Sequence, residues 1–358
     1  MKLKIQYQQY PLNFRFLAKT SRGSMRQKPT YFISIENALG VKGLGECSTI
    51  GGLSPDASPD YESKLKSFLR AISMEGFSFE NLYQLPDIEK FPSILFGLET
   101  AMLDLANGGK RIIFQNDFSK GLKPLPINGL VWMGEQQQME GQMLEKAGSG
   151  FGCMKLKIGG IDFEQECFLL EKLRKLYPQI IIRLDANGAF SPNEALHKLE
   201  KLSAFGVHSI EQPIKAGQFA AMAKICQESP IPIALDEELI GVTDSEQKKE
   251  LLATLKPQYI ILKPSLLGGI KHTAEWIQLA EKQSIQWWNT SALEANIGLN
   301  AIAQFTAEYP ITLPQGLGTG MLYNNNVESP LSVEAGNISY LLSEKWDFSG
   351  LAHNWVSA

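Results

Sequence analysis

The sequence predicts an α/β protein, a closed parallel (β/α) barrel preceded by an α+β region. Three observations predict it. From about residue 124, short apolar, β-branched runs alternate with helical patterns, as in a parallel sheet covered on both faces. Eight such runs can be counted. Five consecutive runs end in an ionisable residue, and those ends recur evenly: Lys157 to Asp185 is 28 residues, Asp185 to Glu211 is 26, Glu211 to Asp236 is 25 and Asp236 to Lys263 is 27. This period suits a closed barrel better than an open doubly wound sheet, which stays open as the alternative.

In chain order, the part up to about residue 122 offers strand-like runs, "KLKIQYQQY" and "TYFISIENALG", and then helices, "DYESKLKSFLRAI" and "SILFGLETAMLDLANG". That grouping is α+β. Two turn-rich segments interrupt it, "TSRGSMRQK" at 20–28 and "GECSTIGGLSPDASP" at 45–59, which on composition alone read as surface connections. The eight runs follow: "LPINGLVWM", "GCMKLKIGG", "IIIRLDANG", "VHSIEQP", "IPIALDEE", "YIILKP", "IQWWNTS" and "ITLPQGLG". Between them lie helical patterns such as "IDFEQECFLLEKLRKLY", "SPNEALHKLEKLSAFG", "FAAMAKICQES" and "KHTAEWIQLAEKQS". Ser191 before Pro192 is a good helix start. The expected division is therefore 1–122, α+β; 123–321, barrel; and 322–358, a segment outside the barrel count that returns to the first part.

Bulk composition narrows the function. The 358 residues are 44% hydrophobic and 20% charged, an ordinary globular balance. With 34 Lys plus Arg against 38 Asp plus Glu, the net charge of −4 gives no field to recruit nucleic acid or an anionic membrane. Cys47, Cys153, Cys167 and Cys226 form no Cys-x-x-Cys pair, so they read as reduced, structural thiols. No stretch reaches the roughly 18 apolar residues of a membrane span, and the N-terminus has no apolar signal region. A cytoplasmic enzyme with a small-molecule partner is expected. Its oligomeric state is not indicated.

The stretch "FGCMKLKIGG" at 151–160 carries the chemistry. Strand side chains alternate, so Lys155 and Lys157 share one face, and a lysine is almost never fully buried unless it is paired. The following strand ends supply Asp185, Glu211 and Asp236, then Lys263. These are C-terminal strand ends, where barrel enzymes hold their active sites. Carboxylates from three neighbouring strands, about 4.8 Å apart, can converge on one point, and a hard cation relieves their repulsion. Oxygen ligands without His or Cys point to Mg²⁺ or Mn²⁺ rather than Zn²⁺. The substrate expected there is a small-molecule carboxylate, whose α-proton a neutral lysine can remove while the cation stabilises the enediolate. Lys155 and the metal would lower the pKa of Lys157 enough for that task. A buried salt-bridge network is the competing structural account; it is disfavoured because the lysines flank the carboxylates in sequence rather than interleave with them. A Schiff-base aldolase using Lys263, and a non-catalytic binding protein, are the alternatives from other classes.

The Lys-x-Lys at 155–157, "LDANGAF", "IEQP", "ALDEE" and "LKPSLLGG" resemble the muconate lactonising enzyme subgroup of the enolase superfamily, over nearly the whole chain. The superfamily's use of a lysine base with Mg²⁺ is one of the known patterns of pKa tuning. The resemblance implies a (β/α)7β TIM-like barrel with an α+β capping domain completed by the C-terminal segment, and it makes 20–28 and 45–59 lids. "GECSTIGGLSPD", "INGLVWMG", "FGLETAMLDLA" and "SALEANIGLNAIAQF" are most similar to the branch that dehydrates a succinyl-hydroxycyclohexadiene carboxylate in menaquinone biosynthesis. By that resemblance Lys157 is the single base of a syn elimination, Lys263 lies over the enediolate, and Asp185, Glu211 and Asp236 hold Mg²⁺. Ser291, Leu293, Glu294, Gly316 and Gly318 would line the substrate pocket, with Asn187 and the lid residues Arg22 and Ser24. Dipeptide epimerases carry an Asp-x-Asp after the last barrel strand, which "PQGLGTGML" lacks. N-succinylamino acid racemases share every catalytic residue and stay as the alternative. His197, His208, His272 and His353 end no barrel strand and read as structural.

Overall fold

A computed structural model describes residues 3–20, 23–74 and 77–358. The chain opens with strands β1 (Lys4–Gln9), β2 (Leu12–Thr20), β3 (Gly23–Lys28), β4 (Thr30–Glu36) and β5 (Lys42–Ser48), followed by helices α1 (Tyr61–Ile72) and α2 (Pro92–Ala106). β1, β4 and β5 form an antiparallel sheet, while β2 and β3 make a separate hairpin. Helix α2 lies directly on β5. A side chain at Gly45 would begin 1.9 Å from the Gly97 carbonyl oxygen, so only glycine permits that approach.

Strand and helix then alternate: β6 (Leu125–Pro126), β7 (Gly129–Val131), α3 (Gln136–Gly148), β8 (Cys153–Lys157), α4 (Phe163–Leu176), β9 (Ile181–Asp185), α5 (Pro192–Ser203), β10 (Ser209–Glu211), α6 (Phe219–Glu228), β11 (Ile233–Leu235), α7 (Ser245–Leu255), β12 (Tyr259–Leu262), α8 (Pro264–Leu267), α9 (Gly269–Lys282), β13 (Gln286–Asn289) and α10 (Asn296–Thr306). The strands from β7 to β13 form one parallel sheet in sequence order. An apolar core fills the space between these strands and their helices. Seven of the eight predicted runs are these strands. The eighth, "ITLPQGLG", is no regular strand, because Pro314 withholds a donor from the ladder. It closes the ring through two residues. Gln315 N donates to Pro126 O (2.8 Å) and Asn128 N to Gln315 O (2.9 Å), while Gly316 N donates to Asn289 O (2.8 Å).

Three more strands follow: β14 (Leu331–Glu334), β15 (Asn337–Tyr340) and β16 (Val356–Ser357). β15 pairs with β6 below the barrel, and β16 adds to β1, with Gln6 opposite Ser357. The segment after the barrel thus touches both parts of the molecule. Two buried carboxylates join those parts. Glu46 on β5 accepts from Ala295 N and Gly298 N (2.8 Å each) at the start of α10, and Glu99 on α2 accepts from Ile270 N and Lys271 N at the start of α9. Neither helix has a side-chain cap of its own. No described helix is long and apolar enough to cross a membrane.

Candidate active site

The register of the sheet sets the charged residues side by side. Lys157 is the direct neighbour of Asp185, and Asp185 of Glu211, across β8, β9 and β10. One layer lower, Lys155 neighbours Arg183, which neighbours Ser209. Asp236 follows β11 and Lys263 follows β12. β8 and β12 stand four places apart in a ring of eight, so Lys157 and Lys263 enter from opposite sides. The three lysines and the three carboxylates are all buried.

Their contacts are direct. Lys155 Nζ lies 2.6 Å from Glu211 Oε2 and 2.8 Å from Asp185 Oδ2. Lys157 Nζ lies 2.6 Å from Asp185 Oδ2 and 2.7 Å from Asn187 Oδ1. Lys263 Nζ contacts Asp236 and stands 3.9 Å from Glu211 Oε1. The lysines therefore interleave with the carboxylates in space, although the sequence order sets them on the flanks. Lys155 crosses from β8 to β10 because its long stem reaches past the shorter Asp185, and in a low dielectric each ammonium group moves onto the nearest carboxylate.

Electrostatics divide the lysines. Burial works against every ammonium group here. For Lys155 the attraction of Asp185 and Glu211 outweighs burial and raises the pKa. For Lys157 burial dominates, Asp185 opposes it, Lys155 reinforces it, and the pKa falls. Lys263 is raised, as Asp236 and Glu211 overcome its burial. Burial also acts on the carboxyls. It pushes Glu211 up to about 8, with Asp185 and Asp236 adding to it against Lys155 and Lys263.

Among the described residues, no three His, Cys, Asp or Glu side chains already gather about one point for a metal ion. The donor set nevertheless fits a hard divalent cation. It is made only of oxygens, and Glu211 Oε1, on the strand between those that lead to Asp185 and Asp236, is buried and makes no hydrogen bond. Burial and the flanking acids hold this carboxyl up near 8 even against Lys155 and Lys263, so a cation bound there would favour its charged form.

The remaining expected site residues are distributed as follows. Asn187 bridges Lys157 and Glu237, its Nδ2 donating to Glu237 Oε1 at 3.0 Å. Ser291 and Glu294 satisfy each other: Ser291 Oγ donates to Glu294 Oε2 at 2.7 Å, and Ser265 and Thr319 add hydroxyl contacts. Leu293 has φ +64°, unusual for a bulky residue, and its carbonyl accepts from Tyr323 Oη at 2.6 Å. Leu293 packs with Met25, Ile50, Leu53, Leu266 and Ala292, where β3 and the turn after β5 meet the strand ends. Gly316 abuts Thr290, whose hydroxyl would lie 2.3 Å from an added Cβ, and Gly318 is half-buried beyond it. Ser24 is exposed in the hairpin, and Arg22 lies outside the described residues.

Sequence reasoning missed several partners. Gln212, at φ +43°, accepts from Asp236 N at 3.1 Å and fixes that strand end. Arg183 stacks on Trp288 at 3.7 Å beneath the ring. Alternation alone assigns Arg183 to the face of Asp185, so that signal was present; nothing local marks Gln212 or Glu237.

A parallel barrel whose strand ends carry opposed lysines and a row of acids is the architecture of an enolase-type enzyme, and the chain belongs to the enolase superfamily: residues 138–342 match the family described as enolase C-terminal domain-like. Enzymes of this superfamily typically use a divalent metal and act on small molecules. Among particular relatives, the chain is 45% identical to the o-succinylbenzoate synthase of Desulfotalea psychrophila over 93% of this chain and 98% of that one. The crystal structure of MenC from Desulfotalea psychrophila matches it with a TM-score of 0.83 at 42% identity, covering 95% of this chain and 100% of the other. The muconate lactonizing enzyme of Pseudomonas putida shares the fold, with a TM-score of 0.79 at 20% identity over 95% and 94% of the two chains.

Proposed function

We propose that the chain catalyses the o-succinylbenzoate synthase reaction, the dehydration of 2-succinyl-6-hydroxy-2,4-cyclohexadiene-1-carboxylate to 2-succinylbenzoate, in menaquinone biosynthesis. The full-length 45% identity to a relative of that activity carries this reading. Lys157 takes the proton from the carbon bearing the carboxylate, and burial, which lowers its pKa, favours the neutral amine a base requires. The hydroxyl on the adjacent carbon leaves with that proton returned by Lys157, so one base serves a syn elimination and the ring becomes aromatic. Lys263, kept charged by Asp236, faces the other side of the substrate and stabilises the negative charge that develops on its carboxylate.

Asp185, Glu211 and Asp236 would hold Mg²⁺, with Mn²⁺ as a substitute. A divalent cation bound there supplies positive charge beside the substrate carboxylate. The apolar cluster of Met25, Ile50, Leu53 and Leu293 supports a lid made by the hairpin and the turn after β5, with Ser24 on the hairpin. The separate apolar core of β1, β4, β5, α1 and α2, with β16 added to its sheet, supports a division into a capping part, 1–122 completed by 322–358, and a catalytic barrel, 123–321, although β14 and β15 lie against the barrel part. In the cell this lyase works in the cytoplasm.

The test incubates the protein and Mg²⁺ with the cyclohexadiene carboxylate and follows loss of its absorbance as 2-succinylbenzoate forms. Absence of product in metal-replete enzyme overturns the reading. N-succinylamino acid racemisation is the second activity to assay, because opposed lysines also serve a two-base proton exchange.

A further inference from the structure

Lys157 is held by more than the acid beside it. Its Nζ donates to Asn187 Oδ1 at 2.7 Å, and Asn187 Nδ2 donates to Glu237 Oε1 at 3.0 Å. These partners fix the amide orientation, since only the oxygen can accept from an ammonium group and only the nitrogen can donate to a carboxylate. The backbone of Asn187 is specified too. It sits at φ +45°, a conformation asparagine tolerates, and its N–H donates to Asp185 Oδ1 at 3.1 Å. Gly188 N then donates to Gln212 O at 2.7 Å, tying this turn to the end of the next strand.

We infer that Asn187 and Glu237 form a positioning pair for Lys157, holding its side-chain nitrogen on the approach to the substrate's α-proton. This rests on the function proposed above. Asp185 alone is poorly suited to the task, because it is also a proposed cation ligand and because a carboxylate raises the proton affinity of any lysine it touches. A neutral amide oxygen constrains the nitrogen with far less stabilisation of its charged form. Glu237 acts at one remove: it prevents the amide from turning its NH₂ toward the lysine. The chain runs from the end of β11 across to the ends of β9 and β8, so the base is aimed by two strand ends besides its own.

The experiment compares Asn187→Gly, which suits the positive φ, with Glu237→Ala, their double substitution and Glu237→Gln. The expected loss in kcat is about 10- to 100-fold for the first three, with KM within about twofold. The double variant is no slower than Asn187→Gly, and Glu237→Gln, which can still accept from the amide, retains most of the activity. With substrate deuterated at the α-carbon, the primary isotope effect on kcat rises in the impaired variants, a change that loss of folded enzyme would not produce. Unchanged kcat, additive losses, an effect confined to KM, or an unchanged isotope effect each overturns the pair. Crystal structures of the variants decide independently of turnover: Lys157 displaced in Glu237→Ala supports the pair, and Lys157 and Asn187 in their present places overturn it. Inactive wild-type enzyme counts against the proposed reaction, while those structures still judge the pair.

Discussion

At the scale of the residue, Lys157 shows how burial prepares a base. Removing its amine leaves Asp185 with Lys155 as a partner, so no buried charge is stranded. Lys157→Ala should therefore keep its circular dichroism spectrum and melting temperature while kcat falls by about 10²–10⁴-fold, the range of general base catalysis. Turnover that persists in a folded variant would remove the proton-transfer assignment. Glu211→Gln should bind Mg²⁺ more weakly in titration calorimetry, since its oxygen loses the charge a cation needs. Tyr323 is a quieter case. Its hydroxyl holds the carbonyl of the left-handed Leu293, so Tyr323→Phe should cost about 1 kcal/mol in urea unfolding and raise KM more than it lowers kcat. Alternation made Lys155, Lys157, Asp185 and Glu211 legible from sequence. The reach of Lys155 to Glu211 was not, because it depends on side-chain length across two strands rather than on spacing along one.

At the scale of the element, α9 and α10 begin without caps of their own and borrow them from Glu99 and Glu46. Replacing Glu46 by Ala strands two buried N–H groups and should cost about 2–3 kcal/mol. Replacing Glu99 strands one and loosens a second, part-buried one, at about 1–3 kcal/mol, and each loss is read as a fall in melting temperature. Burial also lifts both carboxyls to about 7, against hydrogen bonds and nearby cations that lower them. A carboxyl raised in the folded state adds stability below its unfolded value near 4.5, and that contribution is lost as pH rises through about 7. The melting temperature of the wild type should thus fall relative to Glu99→Gln between about pH 5 and about pH 8. A constant difference across that range would exclude ionisation of Glu99 as a load on the fold. Such long-range caps leave no local signature: "GEC" reads as the start of a turn-rich segment, although it ends β5, and "FGLET" simply as helix.

At the scale of the molecule, metal and fold should be coupled. Chelation with EDTA should abolish activity reversibly, and excess Mg²⁺ should restore it and raise the melting temperature, since a ligand bound only by the folded state stabilises it. Activity that survives exhaustive chelation would remove the cation from the proposal. The even spacing of strand ends favoured a closed barrel over an open sheet, because each strand-helix unit repeats one local pattern, and the resemblance of the strand-end motifs pointed to the closed form. The closing strand was harder to specify. Gln315 and Gly316 bond to β6 and β13 only once the other staves stand, so that edge is defined by its neighbours.

The pairing of β16 with β1 has a consequence for how the protein is made. In this sheet β1 is synthesised long before its partner β16. Until residues 356–357 emerge, β1 offers an open edge, and a nascent chain that met another there could swap partners. Chaperone attendance or slow initiation should therefore matter most for this outer strand, far from where the chemistry occurs.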